Sequence, residues 1–151
     1  MSEKLVLIRL PILLILIFCV GKLIVGATGG SYELGTRLFA MVPLTVHLCL
    51  IWGALTRAYH GYGAGAAMVT GLLIALVAQI LILVATSGSY LLGVETHFNN
   101  PVAMVGESRV VSFGEALAAR TGGLVINGII GAVAGLIGWA LGGLLPSGRH
   151  S

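Results

Sequence analysis

Aspartate is absent from this 151-residue sequence and glutamate occurs only five times, so that with 8 Lys+Arg the charged residues make up 9% of the chain. Soluble domains carry about 25%. A surface this poor in charge cannot face water, which excludes a soluble enzyme, a nucleic-acid binder and a disordered tail. The cations are dispersed, without the Lys/Arg run that grips a phosphate backbone, so no nucleic-acid partner is expected. Cysteine is scarce: Cys19 and Cys49 stand alone in apolar runs, with neither CxxC pairing nor zinc spacing. No acid falls within any apolar run, which removes the intramembrane carboxylate that small proton-coupled exporters need. A Gly-Lys-Ser/Thr phosphate loop is missing too, and no serine stands with a base and an orienting group. Catalysis is not expected.

What is there is apolar: 58% hydrophobic residues and a mean hydropathy of +1.07. Four stretches reach the roughly 20 residues that a bilayer-crossing helix needs: about 10–28, 38–59, 63–90 and 122–145. Their continuity, without alternation, excludes a membrane barrel. The expected fold is an all-α integral membrane protein, a single four-helix transmembrane domain in a lipid bilayer. The first run has the basic start and small residues of a signal peptide, but Lys22 interrupts it, which favours a retained helix. Lys4, Arg9, Arg57 and Arg149 fall on one side, and Lys22, Arg37, Arg109 and Arg120 on the other. That tie leaves four glutamates on the second side to favour cytoplasmic termini in a prokaryotic plasma (inner) membrane. Lys22 and Arg9 read as snorkelling end residues.

The long polar loop spans about 92–121. Asn99-Asn100-Pro101 reads as a turn, and Ser112-Phe113-Gly114-Glu115 has capping-box spacing. A short interfacial helix, Phe113 to Arg120, is expected to follow and lead into the fourth span, with Phe113 and Leu117 on one face as a partner contact. Glu95-Thr96-His97 offers two metal-ligating types without a companion cluster, so no metal site is expected.

Glycine supplies the clearest pattern. Gly128, Gly131, Gly135, Gly138 and Gly142 are spaced 3, 4, 3, 4, a glycine zipper along the fourth span. The third span carries Gly63, Ala67, Gly71 and Ala75 at four-residue spacing. Such faces let helix backbones approach closely. They hold one bundle together or present a face to another subunit or a second copy.

Polar residues at depth are functional candidates. The stripe Thr36, Ala40, Pro43, His47 predicts that His47 faces the bundle interior of a helix kinked at Pro43, within reach of Gln79. The favoured function is a non-catalytic accessory subunit of a larger membrane complex. The alternative is a quinone or lipid site at His47, Pro43 and Gln79. A b-type haem on His47 ranks lower, because no second histidine lies at equal depth; otherwise no cofactor is expected.

Overall fold

The computed structural model describes residues 8–106 and 108–145. Among them run six helices: α1 (Arg9–Ala27), α2 (Tyr32–Leu38), α3 (Met41–Ala58), α4 (Ala64–Leu91), α5 (Pro101–Val105) and α6 (Phe113–Gly142). Four segments are long and apolar enough to cross a membrane: α1, α2 with α3, α4 and α6. This is a four-helix membrane bundle. It fits lipid because helices satisfy their own backbone groups, and their outward faces are aliphatic, as at Val125, Ile126 and Ile129 of α6.

Two boundaries differ from the sequence expectation. The second span is not one kinked helix: Phe39 (φ −129°, ψ 61°) and Ala40 (φ −76°, ψ 84°) leave helical geometry, and α3 starts afresh at Met41. Pro43 then sits in a first turn, where its missing N–H costs no hydrogen bond. Ser31 caps α2, its Oγ accepting from the Leu34 amide at 3.2 Å. The stretch Phe113 to Arg120 is not a helix apart from the fourth span; the separate short helix of that loop is α5. The capping box forms, with the Glu115 amide donating to Ser112 Oγ (3.3 Å) and the Ser112 amide to Glu115 Oε2 (3.0 Å). The helix it opens runs unbroken for 30 residues, about 45 Å. The loop thus shrinks to 92–112, where Asn100 Oδ1 caps α5 and Gly106, at φ +74°, closes it.

The core is a triangle of α3, α4 and α6, and glycine builds it. A Cβ at Gly131 would overlap Ala75, and one at Gly135 the Ala67 carbonyl, so this part of α6 lies on the small face of α4. Gly138 and Gly142 likewise meet the carbonyls of Leu50 and Ala54 on α3. Gly128 packs against Leu72 of α4. The whole seam is therefore occupied within the chain. Gly63 does not join it: it is the extended N-cap of α4, with nothing among the described residues within 4 Å of an added Cβ. Close backbone approach replaces side-chain interdigitation, gaining dispersion that lipid cannot match. At the far end Arg57 lies 4.3 Å from the Trp139 ring centroid, and Trp139 Nε1 donates to the Tyr62 carbonyl at 2.8 Å. Helix α1 packs on α3 and α4 and buries only Pro11, Ile15 and Cys19.

Candidate functional site

The structure does not bring His47, Pro43 and Gln79 together. His47 Nδ1 pairs with the Pro43 carbonyl of its own helix at 2.7 Å, and both residues are exposed on the outer face. Gln79 is buried against α6, beside Gly123 and Asn127. The reason is the break before α3. A stripe counted through Thr36 and Ala40 loses its phase there, and the inward face becomes Met41, Thr45, Leu48, Cys49, Trp52 and Thr56. His47 precedes Leu48 by one residue, about 100° around the helix. His47→Ala is therefore expected to shift stability by less than about 0.5 kcal/mol, checked by denaturant unfolding in detergent. Among the described residues no second histidine accompanies it: His60 stacks on Tyr62, and His97 is held by Gly30. Phe113 and Leu117 stay partly exposed on α6, Phe113 lying 5.6 Å from the Tyr90 ring.

A different constellation forms at the loop end, around a cavity of about 210 Å³. Its walls come from every part of the fold: Lys22 of α1, Tyr32 and Thr36 of α2, the first turn of α3, Ile82 of α4, the 97–98 loop, Ala103 of α5 and Arg120 of α6. Small residues bring α1 in. A Cβ at Gly21 would overlap the Phe39 ring, and one at Gly26 the His97 amide nitrogen. That closeness sets the Lys22 ammonium 5.7 Å from the Tyr32 ring centroid and 5.9 Å from that of Phe98.

Arg120 stands opposite on α6. Its Nε donates to Thr86 Oγ1 at 3.1 Å and its Nη2 to the Phe98 carbonyl at 2.7 Å. Thr86 Oγ1 also donates to that carbonyl, at 3.2 Å. The guanidinium is thus oriented by α4 and the loop, with N–H donors to spare. His97, only 5% exposed, pins α2: Nε2 pairs with the Gly30 carbonyl at 2.9 Å, and the ring stands edge-on to Tyr32. Its Nδ1 is buried with no hydrogen-bond partner among the described residues, against the bare Cα of Gly35.

Electrostatically the cavity has one sign. Lys22 and Arg120 line the same cavity, and no carboxylate stands among its described lining residues. The α3 N-terminus adds its positive end through Met41 and Val42, because the N-cap Ala40 offers no capping side chain. Thr36 Oγ1, also on the wall, is buried with no hydrogen-bond partner among the described residues. Such an arrangement can hold an anion through charge-assisted hydrogen bonds.

Sequence reasoning missed this site by reading Lys22 as a snorkelling end residue and Arg120 as the end of a loop helix. The available signal was their shared side of the membrane, together with the lack of any acid in the spans. Fold and cavity define an integral membrane protein of four spans with a cationic site at one end. Compared with models of protein families, with curated proteins and with solved structures, the chain matches none of them.

Proposed function

We propose that this protein is a membrane-embedded binding protein for an anionic small molecule, held at the loop end of the bundle by Lys22 and Arg120. One observation carries the reading: two partly buried cations line the same cavity with no acid among its described walls. Desolvated charges of like sign are costly unless paired, and a bound anion supplies the pair. With cytoplasmic termini, the cavity faces the outer leaflet of a plasma membrane. The test is titration of the purified protein with anionic probes (laurate, dodecyl phosphate and inorganic phosphate) in non-ionic detergent. Lys22→Gln or Arg120→Gln should each weaken binding about 10- to 100-fold, the worth of one charged hydrogen bond. Wild-type affinity in the folded double variant would end the reading.

An accessory-subunit role is the second reading. The glycine faces no longer support it, since α3 and α4 occupy them, but apolar side chains at the loop end do: Val110 is 92% exposed, with Phe113 and Leu117 nearby in sequence. A protein or second copy docking there should co-purify stoichiometrically from native membranes, and Val110→Asp should release it.

A further inference from the structure

We infer that the anion is the phosphate head of an amphiphile that reaches the cavity sideways from the bilayer; the inference rests on the anion-binding reading above. Three observations converge on it.

The first is charge. Lys22 and Arg120 contribute two positive charges and the α3 N-terminus about half of one more. A carboxylate would leave most of that uncompensated, whereas a phosphomonoester, at about −1.5 to −2, nearly balances it. Its several acceptor oxygens also match the donors present: the ammonium, the spare guanidinium N–H groups, the Thr36 hydroxyl and the α3 amides.

The second is size and opening. Pockets that enclose a whole drug-sized ligand measure about 300–1,000 Å³. At about 210 Å³ this cavity takes a head without a long chain. Its rim is apolar where it meets lipid: Val42, 44% exposed, and Pro43 both line the cavity and face outward on α3. Beyond them the outer face of α3 continues through His47 to Ile51, 50% exposed. A chain attached to the bound head would lie along that face.

The third is depth. Crossing about 30 Å of hydrocarbon takes about 20 helical residues. With one hydrocarbon boundary taken at the Gly142 end, the other falls near Gly123, and Arg120 lies about one turn outside it. Lipid phosphates lie in that layer.

The experiment compares dodecyl phosphate, laurate and inorganic phosphate by titration of the full-length protein in non-ionic detergent. Dodecyl phosphate is expected to bind at least tenfold tighter than laurate and to resist a hundredfold excess of inorganic phosphate. Val42→Glu, which adds an acid at the apolar rim, should weaken it at least tenfold with the unfolding midpoint unchanged. Laurate binding as tightly as dodecyl phosphate would overturn the phosphate assignment while leaving the anion site. Inorganic phosphate binding equally well would overturn lateral capture of an amphiphile and likewise leave the anion site. Binding of none of the three would overturn the anion site itself, and this inference with it.

Discussion

Gly138→Leu is expected to cost the bundle about 3 kcal/mol or more, read as a lower midpoint of unfolding in a detergent titration. At Gly138 a Cβ would sit on the Leu50 carbonyl oxygen, with the Leu50 Cα and carbonyl carbon behind it. Backbone of a rigid helix cannot step aside as a side chain can. Thus α3 and α6 must separate, opening the adjacent contacts at Gly135 and Gly142 and pulling Arg57 off Trp139. Gly135→Leu should behave alike, because its Cβ would meet the Ala67 carbonyl of α4. Gly122 is the internal control. It lies in the same helix with nothing among the described residues within 4 Å of an added Cβ. Gly122→Leu should be neutral or slightly stabilising, since helical glycine costs up to about 1 kcal/mol against a good helix former. Equal midpoints for Gly138→Leu and wild type would show that α6 does not seat on α3 through this seam.

That contrast marks what is legible in the sequence. The spans are legible because lipid imposes a length of apolar chain, and α1 and α4 end within a residue of the limits that length sets. The 3, 4, 3, 4 glycine spacing marks one face of α6, and that face is where α3 and α4 sit. Which neighbour each glycine meets is not readable, because periodicity orients a face without naming what covers it. Gly63 illustrates the limit: it keeps the small-residue register but precedes the helix. The break at Phe39–Ala40 is also hidden, because both residues are apolar and the hydropathy run continues through them. Its consequence is large, since the rotation lost there turns His47 outward. The cavity is the least legible feature. Lys22 and Arg120 lie 98 residues apart in the chain, and only the packing of α1, α4, α6 and the loop brings them to one cavity. A lone cation near a span end looks the same in sequence whether it snorkels to water or faces a second cation.

Charge reversal separates those two roles. Lys22→Glu is expected to lower dodecyl phosphate affinity more than 100-fold while the protein without added anion becomes no less stable. The substitution replaces repulsion across the cavity with attraction to Arg120. At an effective dielectric of about 20, close unit charges interact by a few kcal/mol, so the change of sign is expected to outweigh its costs. Those costs are the ammonium's contacts with Tyr32 and Phe98, worth roughly 1 kcal/mol each at partly exposed sites. The glutamate would then occupy Arg120 as an internal anion and exclude an external one. Lys22→Gln tests the sum: it removes the repulsion and the ring contacts without adding attraction, so its unfolding midpoint should fall below that of Lys22→Glu. If Lys22 acted only by covering the two rings, the order would differ. Both variants would then be destabilised alike, and anion affinity would follow neither. An order of Glu above Gln in stability and below it in affinity requires a charge that faces Arg120, the arrangement the proposed anion site depends on.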